Sequence, residues 1–332
     1  MRTGLYFDMR NPPSWERPWK GFYERALEQC EEAERLGIDA VWFSEHHGWE
    51  DAYLPQPLTL AAAVAARTKR VRIGTAVVLS PLKPAIDIAE QAAIVDLISD
   101  GRFELGLGAG YVMREFKAFG ADYGTRFEAM EDRALLVRRL WEEGKATPKP
   151  LQERLPIWIG GLGPRSARIA GRTNEYLLYP GPEALPVYRG ALEKAGHDPD
   201  GARMGGLCQM VIADDPEEAW TRIAPHLQYQ WGTYGYYGGL DSESPGMMLL
   251  DDLDPESLRS REDVIHTAPK FDVVTPEDAV RRLTDWLDPL PIDHMMFWSS
   301  IAGMPDDLTE RHIELLSSKV APALHGVGIP AP

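Results

Sequence analysis

The sequence predicts a (β/α)8 TIM barrel. Eight apolar, strand-like segments alternate with helical ones at roughly even spacing along 332 residues, the pattern of a closed parallel barrel with a helix after each strand. The first strand–helix turn, Asp8-Met9-Arg10-Asn11-Pro12-Pro13, carries no glycine. An open doubly wound sheet would place GxGxxG there. The length lies somewhat above that of a minimal barrel, which suits one sizeable insertion. No linker or charge run divides residues 1–332, so one domain is expected.

The elements follow in order. Residues 2–8 read as the first strand, and residues 19–36 as a helix with Phe22, Ala26, Leu27, Cys30, Ala33 and Leu36 on one stripe, stopped by Gly37. Strand two is 39–44, followed by a helix at 57–68 opened by Pro57; strand three is 71–78, followed by a helix at 84–99 opened by Pro84. Strand four is 103–108, with a long amphipathic helix at 126–143. Strand five is 156–161 with a helix at 164–172, and strand six is 175–179 with a helix at 183–195. Strand seven is expected at 207–214, and a helix begins at 216–228. Residues 229–270 break the rhythm and read as the insertion, rich in Gly, Ser, Asp and aromatics. A helix at 275–287 has a Thr N-cap and an acidic first turn; strand eight is 293–300, and the closing helix is 305–324.

The net charge of −16 argues against nucleic acid or an anionic membrane surface as partner. Cys30 and Cys208 form no framework and read as buried, reduced thiols. The start, MRTGLYFDMR, has no signal core, and no apolar run reaches membrane-spanning length, so a cytoplasmic location is expected.

In a barrel, chemistry gathers where strands end at their C-terminal side. Asp8 ends strand one, and Glu45-His46-His47 follows strand two. Neighbours in extended chain point to opposite faces, so His46 and His47 do not share one metal ion, and no HxH or HExxH supports a metal elsewhere. One histidine as a proton donor or acceptor is physically natural; a hydrogen-bonded structural role is the open alternative. After strand four, Gly106, Gly108 and Gly110 alternate, which lets backbone approach something flat or anionic. Gly160-Gly161-Leu162-Gly163-Pro164-Arg165-Ser166 joins a strand to a helix N-terminus. Free N–H groups and the dipole end there suit an anion, with Arg165 and Ser166 as further donors; a plain strand–helix turn is the other reading. Tyr229, Trp231, Tyr234, Tyr236 and Tyr237 read as a lid or pocket wall, or as a surface loop packed on itself.

Taken together, Trp42-Phe43-Ser44-Glu45-His46-His47, Ile73-Gly74-Thr75-Ala76-Val77, Asp100-Gly101-Arg102-Phe103 through Gly120, Pro156-Ile157-Trp158-Ile159-Gly160-Gly161 and Gly163 through Arg172 resemble the bacterial luciferase-like flavin monooxygenase superfamily. The resemblance implies a barrel that binds reduced FMN, or in one branch the deazaflavin F420. It implies a non-proline cis peptide at Ala76–Val77 supporting the flavin ring. It implies His46 as acid–base group, with Glu45 beside it. Gly108, Ala109, Gly110 and Tyr111 match the loop over the ring and tail, and Gly161, Leu162, Gly163, Arg165 and Ser166 match the phosphate turn. Bacterial luciferase has a phosphate-contacting arginine where this chain has Ala109, which moves the anion role towards Gly161–Ser166. Glu-His-His resembles the FMN monooxygenases; many F420-dependent relatives show Ser-Asp-His. The implied function is oxidation of a small apolar or aromatic compound with O2, using FMNH2 from a separate flavin reductase, in a homodimer. The alternatives are F420-dependent hydride transfer and a non-catalytic flavin-binding subunit.

Overall fold

The computed structural model describes residues 1–239, 254–260, 270–287, 290–325 and 327. Its strands are β1 (Arg2–Phe7), β2 (Ala40–Phe43), β3 (Arg72–Thr75), β4 (Val78–Leu79), β5 (Phe103–Gly108), β6 (Ile157–Gly160), β7 (Tyr176–Leu178), β8 (Met204–Cys208), β9 (Met210–Ile212), β10 (Asp272–Val274) and β11 (Ile292–Trp298). The helices used below are α1 (Trp19–Leu36), α2 (Pro57–Arg67), α3 (Ala85–Ile98), α4 (Met113–Phe119), α5 (Arg126–Glu142), α6 (Pro164–Thr173), α7 (Ala184–Lys194), α8 (Pro216–Gly239), α9 (Pro255–Leu258), α10 (Pro276–Leu287), α11 (Asp306–Leu315) and α12 (Ala321–Leu324). The parallel order β3-β2-β1-β11-β8-β7-β6-β5 closes through β3–β5 pairing, so eight strand positions make the expected closed barrel.

Side chains alternate across the strands as a two-residue period requires. Leu5, Phe7, Val41, Phe43, Ile157, Ile159 and Phe297 pack in one apolar cluster with the helices, whereas Tyr6, Trp42, Trp158, Met296 and Trp298 share the other. The large ring of Trp42 needs a small partner. A Cβ on Gly74 would lie 2.2 Å from it. At the far end of the barrel the buried Glu104 accepts from Trp158 Nε1–H at 2.7 Å and lies 3.2 Å from His294 Nε2. Burial alone would raise its pKa, but His294 and Arg72 outweigh this and hold the carboxylate well below its usual range.

Three expectations need correction. Strand seven of the barrel is 204–208, not 207–214: β8 pairs with β7 and β11, while β9 turns away and pairs with β10 in a separate two-stranded sheet. The Gly205-Gly206 pair masked β8, because glycine weakens a strand pattern. The aromatic run also does not begin a loop at 229; α8 continues to Gly239, so Tyr229, Trp231, Tyr234, Tyr236 and Tyr237 lie on a helix. The remainder of the 229–270 insertion falls largely outside the described residues. The closing helix is interrupted by a π-turn at Leu316–Val320 between α11 and α12. Among the described residues no helix is long and apolar enough to cross a membrane.

His312 on α11 ties the small sheet to the barrel. Its Nδ1 accepts Ile212 N–H at 2.9 Å, which leaves Nε2–H to donate to Trp298 O at 3.0 Å. Burial pushes its pKa from 6.5 down to about 4. A depressed folded pKa contributes stability above the unfolded value that is lost as pH falls through the folded one. The shift corresponds to about 3 kcal/mol. The stability advantage of the wild type over His312→Leu should therefore be present at pH 7.5 and shrink towards pH 4, as read by urea unfolding at both pH values.

Candidate active site

Beyond β2 the chain stays tethered to the barrel rim: Ser44 N–H donates to Phe7 O at 3.2 Å, and His46 N–H to Leu54 O at 3.1 Å. This fixes the alternation of the next side chains. His46 Nδ1 lies 2.9 Å from Glu115 Oε1 on α4. The same oxygen accepts His47 N–H at 2.7 Å and Trp49 Nε1–H at 3.2 Å. A carboxylate only accepts, so this contact assigns a proton to Nδ1, and Nε2 makes no hydrogen bond among the described residues. The imidazole stacks on Trp49 at 4.5 Å and meets the edges of Tyr53 at 4.7 Å and Tyr111 at 5.4 Å.

Glu45 faces other partners. One oxygen takes His47 Nε2 at 2.8 Å and Lys83 Nζ at 2.9 Å; the other accepts Leu79 N–H at 2.8 Å. Burial works to raise its pKa, but the His47 hydrogen bond and the Lys83 charge hold it below the usual carboxylate value. With both oxygens committed, Glu45 acts as a brace between the end of β2 and the start of the chain beyond β3. Glu45, expected with His46 among the catalytic residues, thus has both oxygens held by His47, Lys83 and Leu79.

β3 ends at Thr75, the Ala76–Val77 peptide is cis, and β4 resumes at Val78. The glycines of β5 and β6 face this bulge. A Cβ on Gly106 would fall 1.8 Å from Thr75 O, one on Gly108 2.2 Å from Val77 Cγ2, and one on Gly160 2.6 Å from Val77 Cγ1. The close neighbour that the glycine pattern anticipated at 106 and 108 is therefore the protein's own bulge. Ala109 is buried, Gly110 takes φ +73°, and Tyr111 edges His46. At the second turn Gly161 and Gly163 adopt φ +153° and +110° before Pro164 opens α6. A Cβ on Gly161 would meet the buried Ser166 hydroxyl at 2.0 Å. Leu162 is exposed, and Arg165 leans outward to Glu128 Oε1 at 2.6 Å over the Phe127 ring.

A family model described as luciferase-like monooxygenase matches residues 3–286. The chain belongs to the luciferase-like monooxygenase family. The oxygenase component of flavin-dependent trigonelline monooxygenase from Acinetobacter baylyi is 30% identical, covering 97% of this chain and 95% of that protein. An F420-dependent glucose-6-phosphate dehydrogenase from Microbacterium testaceum is 26% identical, covering 88% and 90%. The oxygenating constituent of 3,6-diketocamphane monooxygenase from Pseudomonas putida, solved with FMN, superposes with TM-score 0.71 at 21% identity, covering 97% of this chain and 98% of that one. The chain is accordingly an oxidoreductase of the luciferase-like class.

In this luciferase-like barrel the mouth also holds groups that no sequence pattern marked. Arg10 Nε pairs with Asp51 Oδ2 at 2.6 Å, both side chains wholly buried. Arg10 donates to Gln230 O and Thr233 Oγ1 on α8. Its guanidinium lies 5.3–5.5 Å from the Trp49, Tyr53, Tyr229 and Tyr234 rings. Tyr53 OH links Tyr6 OH at 3.2 Å to Tyr234 OH at 2.9 Å. Beside them, burial raises the Asp8 pKa from 3.8 to about 7, against the lowering charge of Arg10. α8 is thus pinned to the rim by hydrogen bonds from the Asp51-paired Arg10, and Tyr237 OH adds an acceptor for Glu50 N–H at 2.8 Å. Glu115, on the segment beyond strand four, was not singled out by any sequence pattern.

Proposed function

We propose that this chain is the oxygenase component of a two-component monooxygenase that uses reduced FMN and O2 on a small organic substrate. The carrying observation is His46, held by Glu115 at Nδ1, at the same rim as the Ala76–Val77 bulge against which Gly106, Gly108 and Gly160 pack. The donors suit a flat heterocycle with a phosphate tail. The first turn of α6 offers free N–H groups, Ser166 a hydroxyl, and Arg165 a cation. Arg126, which shares the Phe127 ring with Arg165 and whose Nε has no hydrogen-bond partner among the described residues, is a second cation. Bound reduced flavin supplies the activation of oxygen. The protein orients it on the bulge, excludes water with the aromatic wall of α8, and moves a proton at His46 Nε2 while Glu115 stabilises the resulting imidazolium. Glu45 and Lys83 hold the bulge and the histidine strand in register. The trigonelline relative supports the division of labour with a separate reductase.

The test is titration with FMN, riboflavin and F420, followed by oxygen consumption with FMNH2. Tight F420 binding without FMN binding would transfer the chain to the hydride-transfer branch, to which the dehydrogenase relative belongs. Binding without turnover on any reduced flavin would favour the non-catalytic subunit. The double change Arg126→Ala and Arg165→Ala should weaken FMN about tenfold or more, as lost charged hydrogen bonds do, and leave riboflavin affinity unchanged. Equal weakening of both would remove the phosphate role.

We also propose a homodimer, supported by the exposed apolar residues of α3 and α5. α3 packs on α5 with Ile88, Ala89, Ala92 and Val95 buried, while Ile86, Ile94, Leu97 and Ile98 of α3 and Leu135 and Leu136 of α5 are exposed. An exposed apolar patch of this kind marks an interface. Ile94→Asp with Leu97→Asp should convert a dimer to a monomer in light scattering; an unchanged mass would place the interface elsewhere.

A further inference from the structure

Asp8 stands at the C-terminal end of β1, 4% exposed, and its Oδ2 has no hydrogen-bond partner among the described residues. Buried carboxylates are paired as a rule, because an unmatched charge in a low dielectric is costly. The charged groups that face it are Arg10 and Asp51. Arg10 is already matched by Asp51 at 2.6 Å. Two carboxylates against one guanidinium leave a single negative charge in this buried cluster when Asp8 is ionised. The surroundings are aromatic: the Asp8 charge acts on the Tyr6, Tyr53 and Tyr234 phenols, and Tyr6 meets the Trp298 ring edge-on at 4.8 Å. Gln230, whose backbone carbonyl takes an Arg10 N–H, leaves both side-chain amide atoms unpaired as well.

We infer that the substrate is an organic cation, a charged nitrogen on a compact or aromatic body, bound with its charge against Asp8 and its body among the tyrosine rings of the barrel mouth. Aromatic faces and a carboxylate together complement a weakly hydrated cation better than either does alone. Without such a guest, the Arg10 charge and the backbone N–H groups of Asp8 and Arg10 offset only part of the cost of burial, and the Asp8 pKa stays raised. The Arg10 guanidinium beside Asp8 disfavours a second cation only weakly, because Asp51 neutralises it at contact distance. The inference deepens the proposed monooxygenase reading by naming the substrate class, and it rests on that reading for the word substrate.

The test is calorimetric, on the full chain with and without FMN. N-methylpyridinium and toluene have nearly the same shape and differ by one charge. The wild type should bind the cation at least about tenfold more tightly, and Asp8→Asn should bring the two probes within about threefold of each other. Equal binding to the wild type, or an undiminished preference in Asp8→Asn, overturns the inference. The wild-type comparison decides it even if the variant fails to fold. FMN affinity is measured separately. Loss of FMN binding with cation preference intact would sink the monooxygenase reading and leave the cation site standing.

Discussion

His46→Ala is expected to lower turnover by about 100- to 10,000-fold, the range for removing a positioned acid–base group, while FMN affinity changes little. The ring touches Trp49, Tyr53 and Tyr111 and is only 6% exposed, so the substitution also opens a small cavity. His46→Gln controls for this, because it restores bulk without a titratable base. Glu115→Gln separates positioning from charge. The amide still accepts from Nδ1–H, the His47 N–H and the Trp49 indole, but it no longer stabilises an imidazolium. Its turnover should fall by about 10- to 100-fold, between the wild type and His46→Ala. Stopped-flow and steady-state oxygen uptake read both. Full activity in His46→Gln would end the assignment.

The second large effect concerns the glycines of β5. Gly106→Ala drives a methyl group to 1.8 Å from a backbone oxygen, Thr75 O, whereas Gly108→Ala meets the Val77 side chain at 2.2 Å. Backbone cannot step aside as a side chain can. Gly106→Ala should cost about 3 kcal/mol or more, at the top of the range for overpacking, and FMN binding should be lost with it. Gly108→Ala should also destabilise, and Val77→Ala should rescue it, because the truncated side chain clears Cγ1 and Cγ2. A double-mutant cycle by urea unfolding measures that coupling, expected at about 1–2 kcal/mol. Strict additivity of the two changes would refute the contact as the reason for glycine at 108.

Much of the molecule was legible because its signals are local. The barrel could be read from strand–helix alternation, with proline at the start of α2 and α6 and glycine after α1. β8 was not legible, since a Gly-Gly pair carries no periodicity, and β9 was taken for it because its residues look more strand-like. The helical course of 229–239 was hidden by glycines at 232, 235, 238 and 239, which read as loop punctuation. At the site, His46 and the Ala76–Val77 bulge were visible in short motifs. The Arg10–Asp51 pair was not, because its partners are 41 residues apart and become neighbours only through the barrel rim. Glu45 shows the converse. Adjacency to His46 suggested a shared task, but the two-residue period sends the carboxylate to Lys83 and Leu79 instead.

The parallel pair β9–β10 has a consequence for how such enzymes diversify. Met210 pairs with Asp272 and Ile212 with Val274, so the chain leaves past the end of β9 and returns alongside it at the start of β10. Everything from 213 to 271 is bracketed by that staple. β8 and β11, the barrel strands on either side, pair directly with each other. The segment between β9 and β10, α8 included, is therefore a cassette. Its anchors are Arg10 on α8 and the Glu50 backbone on Tyr237. A cassette mounted in this way can lengthen or shorten without re-registering β8 against β11, so the rim that carries His46 and the Ala76–Val77 bulge stays in place while the wall beside it changes.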